Sequence, residues 1–439
     1  MNIKSLNRKL NKKFAGRVTA RLSDGCIVLT GELDDWNDVV DAGMTAATPH
    51  SSTHVVNDIV FTGAAEEKMH MPAIDDKALD GEKPDVLVIG GGISGCSVER
   101  ELSRYKLSVL LIDKEADLAL GASGRNDGEV HPGVDLSKGS LKHKYIRRAN
   151  HMYEDLCREL DVPFKRTGQY ACFTHKSWLP FVSLYAKWRR DHDGIEDTCI
   201  VMGDEIRKKE PKISADVAFA LSNPSSGSVS PYNLVIAYAE NAVQNGARVS
   251  LNTAVTGMDV SGGEIKAVYT NRGTIYPREV INCAGVYSDV VAQMAQDRFF
   301  SIHPRRGTNS ILDKKTGASF HGIASIVMSQ SPVKTHTKGG GILHTMHDNL
   351  LIGPDAVETP ERENTATDAE SIARVFTKQR ITMPTLTEKD IITYFTGVRA
   401  PTYEEDFIIE PGRKTKNIYH VAGIQSPGLT TAPAVAQDV

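Results

Sequence analysis

Gly90, Gly92 and Gly95 stand at the spacing G-x-G-x-x-G, and an acid, Asp113, follows about twenty residues on. That set suits a dinucleotide. The first glycine permits a tight turn, the second lets the backbone approach a pyrophosphate, and the third lets a helix pack closely on a strand. The free N–H groups of the helix start face the phosphate charge, and the acid is placed to hold a ribose 2′-OH. The elements that must position these residues are present. Asp85–Ile89 is a short apolar run that reads as a buried parallel strand, Cys96–Arg104 is helix-compatible, and Ser108–Asp113 (SVLLID) is a second apolar strand. The alternative is a βαβ unit that carries no ligand.

Composition sets the bounds. A chain of 439 residues has room for more than one domain, and its 24% charged and 40% hydrophobic content is that of an ordinary soluble protein. A net charge of −4 gives no reason to expect nucleic acid as a partner. Cys26, Cys96, Cys157, Cys172, Cys199 and Cys283 are scattered without a C-x-x-C pair, so no metal site and no disulfide framework is expected. A reducing cytoplasm is the simpler reading. No apolar run approaches membrane-spanning length.

Met1–Arg17 carries six basic residues and no acid, with Ile3, Leu6, Leu10 and Phe14 at helical spacing. It predicts a basic amphipathic helix, either packed on its own domain or touching the inner face of an anionic membrane. Val18–Leu22 and Cys26–Gly31 read as strands around the turn Ser23-Asp24-Gly25, followed by a helix at Trp36–Ala47 and a strand at His54–Phe61. Residues 1–64 thus resemble the BON domain, an α/β interaction module associated with envelope or phospholipid contact. Residues 65–84 are polar and without periodicity, which predicts a linker.

Gly121–Gly133 (GASGRNDGEVHPG) follows the second strand with four glycines and several small polar residues, as suits a loop laid against an extended cofactor. Strand–GGGISG–helix, then LLIDKE, then GASGRNDGEVHPG resembles the FAD-dependent oxidoreductases of the D-amino acid oxidase superfamily. Within it, the chain is similar to the L-2-hydroxyglutarate dehydrogenase and glycerol-3-phosphate dehydrogenase branches. VPFKRTGQYACF, EVINCAGVYSD, GVRAP and VAGIQSPGLTTA extend the likeness from Asp85 to Val439.

The resemblance implies an α/β fold: a Rossmann-like FAD domain from segments 85–160, 223–300 and 397–439, and a mixed-sheet substrate domain from 161–222 and 301–396. It implies FAD contacts from Gly90, Gly92, Ile93, Ser94 and Gly95, and from Asp113 and Lys114. Further contacts are expected from Ala122, Ser123, Arg125 and Asn126, from Val255 near the adenine, and from Ala284 and Gly285. Gly423, Gly428, Leu429 and Thr430 complete the set, where a helix N-terminus faces the flavin and stabilises its reduced, negative form.

It also implies a hydride acceptor that needs a base for the substrate hydroxyl and a cation for its anionic group. His131, His344 and His347 are the candidates for the base. Arg399 is the candidate carboxylate clamp, ahead of Arg305 and Arg306. Asp135 follows the His131-Pro132-Gly133 turn where the glycerophosphate branch tends to place an arginine, and an acid there repels phosphate. A small L-2-hydroxy acid such as 2-hydroxyglutarate is therefore the expected substrate, with glycerol 3-phosphate second. An amine or amino-acid oxidase and a non-catalytic flavin-binding scaffold are the other readings. The expected electron acceptor is a quinone or a redox protein. The helix starting near Thr430 is expected to run further than Val439, so a truncated product is one reading of the chain's end.

Overall fold

The computed structural model describes residues 2–64, 68–195, 197–327 and 340–439. Met1, part of the expected linker at 65–67, and Gly339 at the head of one glycine-rich segment lie outside them.

The N-terminal unit forms from strong local signals. Helix α1 (Ile3–Phe14) is started by the Asn2 side chain, which accepts the Lys4 N–H. Strands β1 (Val18–Ser23) and β2 (Cys26–Leu33) pair antiparallel across Asp24-Gly25, both at positive φ. Helix α2 (Trp36–Ala46), capped by Asp35, carries the chain over to β3 (Val55–Phe61), which lies parallel to β2. Leu6, Leu10 and Phe14 are buried in the unit's own core. The apolar stripe of α1 is therefore used internally, and only its basic side faces water.

This unit packs on residues 403–415. Tyr403 sits in its core and receives a hydrogen bond from the Asn57 amide at 2.8 Å; Glu404 accepts the Val55 N–H at 2.8 Å.

Beside two three-stranded sheets, one of Glu129–Val130, Gly227–Val229 and Phe164–Lys165 and one of Val255–Ser261, Glu264–Thr270 and Gly273–Ile275, two larger sheets carry most of the rest. Strand β4 (Val86–Ile89), helix α3 (Ile93–Leu102) and β5 (Val109–Ile112) open the first. Its order is Arg248–Ser250, β5, β4, Glu279–Asn282, Ile418–Ala422 and Ile408–Pro411, parallel except for the last pair. All four residues of both β4 and β5 are buried, as expected of strands covered on both faces. Helices α3, Pro231–Gln244 and Gly428–Asp438 share a core with α4 (Leu141–Glu159) on one side.

The second sheet has nine strands and is mixed. Arg305–Leu312 is its hub, pairing antiparallel with Leu350–Gly353, Val357–Glu358 and Ile391–Arg399. Ile323–Ile326 runs parallel to Gln169–Phe173 within it. Helix α5 (Leu179–Asp193) covers the far end, packed over Phe173, Phe219 and Leu221. Among the described residues, no helix is long and apolar enough to cross a membrane.

Candidate active site

A cavity of about 770 Å³ lies between the two sheets, within the size range of ligand pockets. Its wall begins at the turn after β4. Gly90 has φ +113, a conformation that disfavours any side chain, and its N–H donates to the Ile112 carbonyl. A Cβ on Gly95 would lie 1.8 Å from the Gly90 carbonyl oxygen, so the third glycine allows α3 to approach β4 rather than facing the cavity.

Helix α3 starts at Gly92 without a side-chain cap, and the Ile93 N–H donates to Ser123 Oγ at 2.9 Å. The Gly428–Asp438 helix also lacks a side-chain cap, and Gly428 and Leu429 line the same cavity. Two helix N-termini thus present their donors to one space, an arrangement suited to anionic groups.

The remaining wall gathers residues expected from sequence. Asp113 accepts the Gly91 N–H at 2.5 Å and the Glu115 N–H at 2.8 Å, and burial raises its carboxyl above the usual range. Lys114 pairs with Glu115 and with Glu363, the latter at 2.8 Å. Ser94, Ala122, Ser123, Arg125, Asn126, Val255, Ala284 and Gly285 line the cavity as well. Gly423 and Thr430 do not. Gly423 turns the chain at φ +67, and Thr430 Oγ accepts the His131 N–H at 3.0 Å, holding the histidine strand from behind.

Of the three histidines, only His131 reaches the cavity. Its Nε2 lies 3.3 Å from Ser426 Oγ and its Nδ1 3.5 Å from Glu129 Oε1. His344 and His347 are not cavity residues, against expectation. Strand pairing directs the buried His344 ring towards His321, with its carbonyl accepting from Ser228 Oγ at 2.9 Å. His347 is exposed in the turn beyond that strand.

Arg399 ends the strand Ile391–Arg399 in the cavity wall. Its guanidinium donates to the Asp355 carbonyl at 2.6 Å, and among the described residues no carboxylate forms an ion pair with it. Desolvation, then the nearby Arg305 charge, lowers its pKa. Arg305 is buried rather than solvated: it binds Glu358 at 2.5 Å and Glu405 at 2.7 Å, fixing Glu405 in the cavity wall. Arg306 turns away to the Ala366 carbonyl.

Lys142 is a cavity residue that nothing in SLKHKYIRRAN singles out from the cations beside it. Asp406 caps the start of α4, accepting the Leu141 and Lys142 N–H groups, and so turns this lysine inward. Its Nζ lies 5.7 Å from the Phe407 ring centroid and makes no hydrogen bond or ion pair among the described residues. Burial lowers its pKa.

Glu129 was equally hidden. It is buried beside His131 and accepts from Gln169 at 2.6 Å and from Ser226 at 3.2 Å. Asp135, expected to repel phosphate from within the site, is exposed at the cavity rim, where water and salt screen it.

Burial pushes the Glu129 carboxyl up to about 7, with His131 opposing and Asp127 adding to the shift. Because the folded pKa is raised, this group's contribution to stability is full below the ordinary glutamate range and is lost as pH climbs to about 7. Glu129→Gln removes that loss. The variant's melting temperature should therefore gain on the wild type between about pH 5 and about pH 7. Thermal melts across that window check it; a constant difference would count against it.

A glycine turn after the first strand, two convergent helix starts and a mixed sheet over the same cavity define a flavoprotein oxidoreductase. The chain belongs to the FAD dependent oxidoreductase family, whose profile matches residues 85–439. It is 36% identical over 353 residues to the glycerol 3-phosphate dehydrogenase of Caloramator mitchellensis, covering 80% of this chain and 72% of that protein. It is 27% identical to the L-2-hydroxyglutarate dehydrogenase of Indibacter alkaliphilus, covering 81% and 97%. The dithionite-reduced L-alpha-glycerophosphate oxidase of Mycoplasma pneumoniae, solved with FAD bound, matches with a TM-score of 0.74 and 25% identity, covering 81% of this chain and 94% of that one. The cofactor is FAD, and the enzyme oxidises a hydroxyl or amine donor.

Proposed function

We propose that this enzyme oxidises glycerol 3-phosphate. The observation that carries the reading is the pair of cations facing the cavity, Lys142 and Arg399, neither matched by an ion-paired carboxylate among the described residues. A phosphate dianion fits a lysine point charge and an arginine fork together. The 36% identity to a glycerol 3-phosphate dehydrogenase supports the same choice.

The glycine turn, Ser123, Asp113 and the two helix starts are the groups that would hold FAD, and Val255 those nearest its adenine. When bound, FAD supplies a two-electron acceptor for the hydride of the substrate's carbinol carbon. The protein's own part is to orient that carbon and take the hydroxyl proton. His131 is the base, aligned by Glu129 at one ring nitrogen and by Ser426 at the other. Lys142 and Arg399 fix the anionic end.

A dicarboxylate would also use two separate cations, which keeps L-2-hydroxyglutarate as the second reading. For residues 1–64, the order of helix, hairpin, helix and strand supports a BON-like packing module.

Anaerobic titration of the purified holoenzyme separates the substrates. Glycerol 3-phosphate should bleach the visible flavin band, and L-2-hydroxyglutarate at equal concentration should leave most of it. Bleaching by the hydroxy acid alone would overturn the phosphate reading. Bleaching by an amino acid alone would overturn both.

A further inference from the structure

None of the described residues of the N-terminal unit lines the cavity, yet the unit grips a turn from which two cavity groups are placed. That turn is Tyr403-Glu404-Glu405-Asp406, and its side chains point two ways. Tyr403 is buried in the core of the N-terminal unit, so close to α2 that a Cβ on Gly43 would collide with its ring. Its Oη accepts the Asn57 amide at 2.8 Å. One oxygen of Glu404 accepts the Val55 N–H, and the other lies 3.3 Å from His54 Nδ1. Glu405, the next residue, lines the cavity instead. It is held at φ +56, a left-handed conformation that persists in a glutamate only where the surroundings impose it.

Asp406 serves both sides. Its Oδ2 accepts from His50 Nδ1 at 3.2 Å and from the Leu141 N–H at 2.9 Å. Its Oδ1 accepts the Lys142 N–H at 3.2 Å and the Phe407 N–H at 2.9 Å. The first N–H groups of a helix have no acceptor within it, so this carboxylate caps α4 from outside. His50 belongs to the connection between α2 and β3, and Lys142 stands in the first turn of α4 with its side chain in the cavity. One carboxylate therefore ties the N-terminal unit to the cavity's lysine.

A second path runs beside the first. Tyr403 stacks on the His303 ring with centroids 4.7 Å apart, and His303 Nδ1 donates to Glu358 at 2.9 Å. Glu358 binds Arg305, and Arg305 binds Glu405. Both paths end on groups that act on one amine: burial lowers the Lys142 pKa, and the Glu405 and Asp406 charges oppose that shift.

We infer that the N-terminal unit is a positioning module of the active site. His50, through Asp406, sets where α4 begins and so where Lys142 stands in the cavity; the effect on substrate affinity rests on the proposed role of Lys142 as the anion's partner. With both oxygens of Asp406 occupied, the cap has one orientation. Without His50, the carboxylate is free to turn, and the long lysine side chain carries that freedom into the site.

Steady-state kinetics and amide hydrogen exchange on the full-length holoenzyme test this together. His50→Ala should raise KM for glycerol 3-phosphate about three- to tenfold, as for loss of one hydrogen bond, with kcat within about twofold of the wild type. Exchange at the Leu141 and Lys142 amides should quicken in the same variant. His50→Asn should restore both readouts, because its amide takes the place of Nδ1 and asparagine tolerates the φ of +58 at this position. In a Lys142→Met background, His50→Ala should add nothing further to KM. Lys414→Ala removes an exposed ion pair between the same two units, to Asp24, and should change neither readout. Unchanged exchange in His50→Ala would overturn the positioning role. So would an unmoved KM in His50→Ala where Lys142→Met raises it, or a KM effect of His50→Ala that persists without the lysine amine. If Lys142→Met itself leaves KM unmoved, the substrate reading falls, and exchange alone decides whether His50 positions α4: quickened exchange upholds that role and unchanged exchange overturns it.

Discussion

His131→Asn lowers kcat by about 10²- to 10⁴-fold while the flavin spectrum stays as in the wild type. Asparagine keeps a polar group of similar reach, so the contact to Ser426 Oγ is replaceable and the loop retains its anchor. That anchor is made by the backbone: the His131 N–H donates to Thr430 Oγ at 3.0 Å, and its carbonyl accepts from Asn150 at 2.8 Å. What asparagine cannot do is accept and hold the hydroxyl proton.

Glu129 sharpens the prediction. Its carboxylate lies 3.5 Å from Nδ1, so it favours the tautomer that leaves Nε2 as the acceptor. Stopped-flow reduction under anaerobic conditions isolates the step, because reoxidation by the acceptor is then absent. A loss confined to turnover with oxidant, with reduction by substrate unchanged, would remove His131 from the role of base. His344→Asn and His347→Asn serve as comparisons. Neither lines the cavity, so neither should slow reduction.

How these residues became visible differs from one to the next. The N-terminal hairpin is made by contacts a few residues apart, and the glycine turn, β4 and β5 carry local signals in their glycine spacing and apolar runs even though their partners lie far along the chain, so turn chemistry and patterning reveal them. Whether a side chain reaches the cavity depends on pairings far along the chain. Lys142 is turned inward because Asp406 caps its helix from 264 residues away. Arg305 looked like half of a solvated pair after Pro304, yet Glu358 and Glu405 bury it. His344 and His131 are indistinguishable as isolated histidines; strand pairing with Leu350 and the contact with Thr430 separate them. The same limit explains Asp135. An acid next to the His131-Pro132-Gly133 turn reads as repulsive until its exposure at the rim is seen.

Lys142→Met separates the anion's binding from the chemistry. Methionine matches the lysine stem in length, so packing beside Phe407 is retained and only the charge is lost. A charge-assisted hydrogen bond contributes about 1.5–3 kcal/mol, so KM for glycerol 3-phosphate should rise about 10- to 100-fold with a smaller change in kcat. Arg399→Met should act in the same direction, and more strongly on a flat carboxylate, whose two oxygens suit the guanidinium fork. If both cations grip one anion, the two losses are coupled, and the double variant should lose less than the product of the singles. If they hold separate ends of a dicarboxylate, the losses should multiply. Steady-state kinetics with both substrates on the four proteins of this cycle therefore reports substrate class as well as residue role. A KM for glycerol 3-phosphate that is unmoved in Lys142→Met would remove this amine from the site. Glycerol should discriminate poorly between wild type and variant, because it lacks the anionic group the lysine is there to meet.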